Sequence, residues 1–284
     1  MISQELKQQL SVDGAVLEYE VVGAGEPVVL IHGALLAEAY APLCAESSLT
    51  THYRLVRYHR RGYAGSSRVA APFSIAQQAA DCLAVLRHLG IERAHIVGHS
   101  SGGVMALRLA VDAPQVVHSL VLLEPALMDV PSGAQLGEVL GPILQRYGAG
   151  DKEGAVDSFL QWAIGQDYRT WLDRTIPGGF EQMVADADTF FGVELPSLQQ
   201  WFLSREDARR ITQPVLGVFG SESPSIWPGW GEVQDRLREW MPQTDLFVLA
   251  GSNHALEEKD PRGVAAAMVP FLARHPMPSP ASHR

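Results

Sequence analysis

Gly98-His99-Ser100-Ser101-Gly102 sets one serine between two glycines in the spacing G-x-S-x-G. That spacing suits a serine carried on a sharp turn between a strand and a helix, where its hydroxyl stands clear of the chain. The five residues recur by chance and mean little alone. Their context says more, because an apolar run over 94–97 precedes them and a helix-forming run opens at Ser101. Glycines at 98 and 102 leave room for a tight turn and for close approach of helix to strand. A serine hydroxyl is a poor nucleophile at neutral pH, so covalent chemistry here needs a base, and histidines 32, 59, 99 and 254 all stand near the ends of strand-like runs. Glu124 directly follows the apolar Val121-Leu122-Leu123. A carboxylate in that position needs a partner, and orienting an imidazole satisfies the need.

What has to position these residues is an alternation of strands and helices. Residues 11–23 read as a hairpin turning at Asp13-Gly14, and 27–31 and 54–58 as further strands. Ser74 and Gln77 have the form of a capping box before a helix that carries Ile75, Ala79, Cys82, Leu86 and Leu89 on one face and stops at Gly90. Strands over 94–98 and 117–123 flank a helix over 101–111. Continuous apolar strands joined by helices indicate a mainly parallel sheet covered on both faces. From 125 to about 210 strand runs are missing, and helix-like segments broken by prolines carry Phe159, Trp162, Trp171, Phe180, Phe190, Phe191 and Trp201. Strands return at 214–219 and 244–249, and Asp260-Pro261 opens a last helix that Pro270 is expected to kink or end. The reading is an α/β core in two parts, 1–124 and 211–274, with a helical cap inserted over 125–210. The tail 275–284, proline-rich and poor in apolar residues, is expected to be disordered.

Four pieces occur in a telling order: His32-Gly33 after an early strand, Arg61-Gly62-Tyr63-Ala64-Gly65-Ser66 after the next, the elbow at Ser100, and His254 after the last strand. In that order and spacing the chain resembles the α/β-hydrolases over nearly its whole length. The resemblance implies the α/β-hydrolase fold, Ser100 as nucleophile and His254 as its base, with His99 and His32 holding loops. The acid departs from the commonest pattern. Many members place an aspartate three residues after a glycine that ends the strand before last, but here Gly220-Ser221-Glu222-Ser223 puts serine there. Other members draw the acid from the strand after the elbow, which makes Glu124 the expected acid. Two alternatives stay open: Glu124 as a loop anchor bonded to backbone amides, and Glu222 supplying the acid from a shifted loop.

An oxyanion hole would come from the backbone N–H of Ser101 and of Ala34, or of Leu35 in its place. Dehalogenases and epoxide hydrolases of this fold carry aspartate at the elbow; a serine there implies acyl transfer followed by hydrolysis of an acyl-enzyme. Leu35, Leu36 and Met128 are expected to form the lower wall of an apolar pocket, and Trp171, Trp201, Trp227 and Trp230 to close it from above. The expected substrate is a bulky apolar or aromatic ester or lactone. A serine nucleophile, an acid at Glu124 and a serine near Ser223 resemble, locally, the fungal-type resorcylic-lactone (zearalenone-type) hydrolases.

The charge balance, 22 Lys plus Arg against 32 Asp plus Glu for a net of −10, leaves no basic stripe for nucleic acid or an anionic membrane surface. No run approaches 18 apolar residues and the first ten residues lack a signal-peptide core, so a cytoplasmic protein is expected. Cys44 and Cys82 sit in apolar surroundings and read as core residues rather than a disulfide or a zinc cluster. No P-loop or dinucleotide fingerprint implies a cofactor. A homodimer is compatible with these features. Amide or carbon–carbon bond hydrolysis, cofactor-independent oxygenation or perhydrolysis, and a receptor without turnover on the same fold are the competing functions.

Overall fold

Apolar side chains run without a polar alternate through Val28-Val29-Leu30-Ile31 and Leu120-Val121-Leu122-Leu123, a pattern that suits strands buried on both faces. In the computed structural model, which describes residues 7–68 and 72–278, these runs lie at the centre of one eight-stranded sheet. The strands are β1 (Gln8–Val12), β2 (Ala15–Gly23), β3 (Glu26–Ile31), β4 (Tyr53–Tyr58), β5 (Ala94–His99), β6 (Val117–Leu123), β7 (Val215–Gly220) and β8 (Thr244–Leu249). Their order across the sheet is β1-β2-β4-β3-β5-β6-β7-β8. β2 pairs antiparallel with both β1 and β4, and every pair from β4–β3 to β7–β8 is parallel.

Alternate residues of the central strands enter two different cores. Val29, Ile31, Ile96 and Leu122 face a layer that contains Val104 and Leu107 of helix Ser101–Asp112 and Ala79, Cys82 and Leu86 of helix Ile75–His88. Val28, Leu30, Val97 and Val121 face Val264, Met268 and Phe271 of helix Pro261–Arg274, together with Leu43 and Cys44. The two cysteines therefore lie on opposite sides of the sheet, both unbridged and buried, and burial pushes both thiols up to about 12.

β3 and β5 are neighbours, yet the chain leaves them toward opposite faces: past β3 it runs through Leu43 and Leu49 of the second layer, past β5 into helix Ser101–Asp112 of the first. Such a switch of direction opens a crevice at the carboxyl ends of the two strands, the usual ligand position in open α/β sheets. Gly33-Ala34 and Ser100 border that crevice. Between β6 and β7 the chain forms helices joined by short loops and no strand, and its side chains continue the first core layer without a break: Leu140, Leu160, Phe190 and Leu198 belong to the same cluster as Ile31 and Val104.

Some local expectations fail. Helix Pro261–Arg274 does not end at Pro270, and helix Gln135–Gly148 likewise runs through Pro142. A proline gives up one intrahelical hydrogen bond, and in the first case Phe271 and Leu272, fully buried just beyond it, reward continuation. The hairpin begins at Gln8, three residues before the expected start. Of the tail expected to be disordered, 279–284 lie outside the described residues, whereas His275 accepts a hydrogen bond through its carbonyl from His118 and Met277 donates its N–H to Glu26. Among the described residues no helix is long and apolar enough to cross a membrane.

Candidate active site

Ser100 sits between β5 and helix Ser101–Asp112 with φ +52°. That left-handed conformation is uncommon for a residue with a side chain and marks local strain. The turn is pinned by Ser100 N–H donating to the Leu123 carbonyl and by the Ser100 carbonyl accepting from Ala126 N–H, both at 2.9 Å. The flanking glycines are obligatory: a Cβ on Gly98 would stand 2.4 Å from the Gly102 carbonyl oxygen, and one on Gly102 would stand 2.1 Å from that of Ile31. Gly33 is held the same way, since a Cβ there would press on the His99 ring and on Ser100 Cβ.

Glu124 follows β6, is fully buried, and also has positive φ, +42°. Its Oε1 accepts the Gly220 N–H at 2.8 Å, and its Oε2 lies 2.6 Å from His254 Nδ1. With a carboxylate at Nδ1, that nitrogen carries the proton and Nε2 is free to accept one. One side chain thus anchors a loop amide and contacts the imidazole. Glu222 is exposed and its backbone N–H bonds Ser252, away from the ring.

The His254 ring lies between two others, stacked on Trp230 at 3.8 Å between centroids and tilted against His99 at 4.7 Å. Burial lowers its pKa below the usual histidine range; the Glu124 hydrogen bond opposes this and the His99 charge adds to it. His99 donates from Nε2 to the His254 carbonyl at 2.9 Å, and its Nδ1 stands 2.9 Å from Glu257 Oε1, a charge contact with poor hydrogen-bond alignment. Burial alone would lower the His99 pKa, but Glu257 with Glu258 behind it holds the ring up at about 9. Ser100 Oγ makes no hydrogen bond to His254 in this geometry; such contacts commonly tighten only when substrate arrives.

Ser100, Ser101, Gly33, Ala34 and His254 line one cavity, whose remaining wall is almost entirely apolar. The space between these residues, open mouth included, is about 910 Å³. Of the seven residues expected to line the pocket, Leu36, Met128, Trp227 and Trp230 do. Leu35 does not: its positive φ of +63° turns it into the core, and Leu36 takes the wall. Trp171 is buried within the cap while Leu172, a hundred degrees round the same helix, meets the cavity. Trp201 borders a separate surface groove with Phe202, because Leu195 and Leu198 on the preceding helix fill the cavity side. Phe159, Phe190 and Glu258 also belong to the wall. Of these, Glu258 carried no sequence signal beyond its place four residues after His254.

Residues 26–260 match the family described as the alpha/beta hydrolase fold, and the chain belongs to that family. Among its relatives, a Caulobacter vibrioides protein bearing the name "Putative carbamate hydrolase RutD" is 36% identical over 270 residues, covering 92% of this chain and 96% of that one. Two solved structures share the fold. An enol-lactonase from Burkholderia xenovorans LB400 superposes with a TM-score of 0.76 at 21% identity, covering 94% of this chain and 100% of the other. A thermophilic esterase from Thermogutta terrifontis superposes with a TM-score of 0.80 at 19% identity, covering 95% and 100%.

Proposed function

We propose that this α/β-hydrolase is a serine hydrolase that cleaves a carboxylic ester or lactone of an apolar substrate. The observation that carries the reading is the 2.6 Å contact between His254 Nδ1 and buried Glu124, made at the cavity that Ser100 also lines. Ser100 Oγ gives its proton to His254 Nε2 and attacks the acyl carbon. The developing oxyanion is met by the N–H groups of Ala34 and Ser101. His254 returns the proton to the leaving alcohol, and a water activated by the same ring hydrolyses the acyl-enzyme. Glu124 holds the tautomer and stabilises the imidazolium. No step calls for a metal or organic cofactor.

The substrate class follows from the cavity. A wall of leucine, isoleucine, methionine, phenylalanine and tryptophan side chains favours a bulky hydrophobic or aromatic acyl or lactone group, which the names of the lactonase and esterase neighbours also suggest. The carbamate named for the RutD relative is a more polar functional group and fits this wall less well. Within the lactones, a resorcylic ring is the finer reading. The two unbridged thiols suit a reducing, cytoplasmic setting.

A panel of esters, macrocyclic and small lactones, amides and carbamates tests the proposal, run on the wild-type protein and on Ser100→Ala beside fluorophosphonate labelling. Turnover of apolar esters or lactones and labelling at Ser100 are expected, both lost in Ser100→Ala. A folded protein that is not labelled at Ser100 would favour a receptor, and turnover confined to carbamates or amides would move the bond to C–N.

A further inference from the structure

Arg60 heads the fully buried side chains by size, and the chemistry proposed above makes no use of it. We infer that Arg60, clamped by Glu194 of the inserted helical region, positions the Gly33–Ala34 peptide whose N–H serves the oxyanion hole, so that the insertion completes the catalytic centre as well as covering it. The inference rests on the serine-hydrolase reading.

The Gly33 carbonyl accepts two hydrogen bonds, from Arg60 Nη2 at 2.7 Å and from His32 Nδ1 at 2.8 Å. The His32 tautomer is fixed, because its Nε2 accepts the Arg60 backbone N–H at 3.0 Å and so leaves the proton on Nδ1. Burial, with Arg60 nearby, keeps that ring neutral. In a trans peptide the C=O and N–H of one plane point in opposite directions. Two donors on the Gly33 carbonyl therefore fix where the Ala34 N–H points, and a cationic donor also polarises the peptide and strengthens that N–H. Arg60 Nη2 reaches Ser101 Oγ as well, at 3.3 Å, so one guanidinium touches the Gly33 carbonyl of the peptide that carries the Ala34 N–H and the side chain of Ser101, whose own N–H is the second donor.

A buried guanidinium needs a carboxylate, and the carboxylate comes from far along the chain. Glu194, fully buried, ends a π-helical turn, Phe190–Glu194, and pairs with both Nη1 and Nη2. Its Oε2 also accepts the Tyr63 hydroxyl at 2.9 Å; the Tyr63 ring lies 4.7 Å from the guanidinium carbon, and Gln78 accepts a further Nη1 bond at 2.5 Å. Phe190 and Leu195, at either end of the turn that carries Glu194, line the cavity. One turn thus meets the substrate space and holds the brace, a wide turn of the kind often found at functional positions.

The test compares Glu194→Gln, Arg60→Lys and the paired Arg60→Met/Glu194→Met with wild type. Each is read by kcat and KM on an ester, by inhibition with a boronic acid that places an oxygen in the oxyanion position, and by melting temperature. The paired variant removes both charges together and is designed to fold. For it, kcat is expected to fall about 10- to 100-fold, comparable to or below the loss of one oxyanion donor. KM should stay within about threefold, boronic acid affinity should fall by the same factor as kcat, and Arg60→Lys should recover part of both. Glu194→Gln, which keeps size and one acceptor, gives a smaller loss of the same kind and decides the matter if the paired variant does not fold. Folded variants with wild-type kcat and boronic acid affinity overturn the brace. So does a loss confined to KM. A wild-type protein that neither binds the boronic acid nor is labelled at Ser100 overturns the hydrolase reading, and the brace's catalytic role with it.

Discussion

A carboxylate with no exposure to water must be committed to partners, and Glu124 is committed twice, to the Gly220 amide and to His254. Glu124→Gln keeps the shape and surrenders the charge. It is expected to fold and to lose several orders of magnitude in kcat, whereas Glu222→Gln, altering an exposed side chain, should stay within about threefold. Steady-state kinetics on one ester checks both. Ser100→Ala and His254→Ala should each cost about 10⁴-fold or more, and combining them little further, since the two act as a unit. The pH behaviour follows from the ring's surroundings. Burial puts His254 below its ordinary value of 6.5, so kcat/KM on a neutral ester should rise at a pH below that value and be level from neutrality upward. Replacing His99 by Gln removes the neighbouring cation and should move the rise to higher pH.

The same cluster makes a statement about stability. Burial and the Glu257 charge raise Glu258 to about 8 from 4.5, and His99 stands at about 9 against 6.5. In both cases the folded form binds the proton more tightly than the unfolded chain. The stability they contribute is complete below 4.5 and 6.5 respectively, and disappears as pH rises through about 8 and about 9. Melting temperature should therefore fall between pH 7 and 9.5, and fall less in Glu258→Gln.

At the level of elements, the strands were legible and the helices of the insertion only partly so. β6 has the bounds expected of it, because a two-sided buried strand declares itself by composition alone; β8 also has its expected bounds, although it is an edge strand whose Leu246 and Val248 are exposed. The turn at Ser100 and the place of Glu124 after β6 follow from that register. Which aromatic residues meet the cavity does not, because a hundred-degree step along a short helix separates Trp171 from Leu172 and only tertiary packing decides between them. Kinetic selectivity should follow the observed wall. Met128→Ala and Leu172→Ala are expected to shift preference toward larger or branched acyl groups, by about 10-fold per group in a matched substrate series. Trp201→Ala, whose side chain borders the outer groove, should leave preference unchanged. Equal shifts in all three would assign selectivity to general loosening of these helices.

For the molecule as a whole, the first core layer passes from the sheet into the inserted helices without interruption. Heating is accordingly expected to give one transition, with equal calorimetric and van't Hoff enthalpies, in place of early melting of the insertion. The pairing of Arg60 with Glu194, 134 residues further along, was invisible in the sequence for the same reason that it matters: a contact between distant segments leaves no local pattern. Ser100 and His254, the proposed nucleophile and base, could be singled out because each follows closely on a strand.

Cys44 and Cys82 lie under opposite faces of the sheet, each with a thiol that burial keeps protonated. Thiolate is the reacting form and is scarce at both sites, so modification has to wait for a local opening. The pair amounts to two clocks set into one molecule. Timed alkylation of native protein, resolved by peptide, would give the opening frequency of the layer beneath the last helix from Cys44 and that of the layer beneath the Ser100 cavity from Cys82. Should occupation of the cavity slow only the second clock, ligand binding would be tightening one side of the sheet and leaving the other to breathe as before.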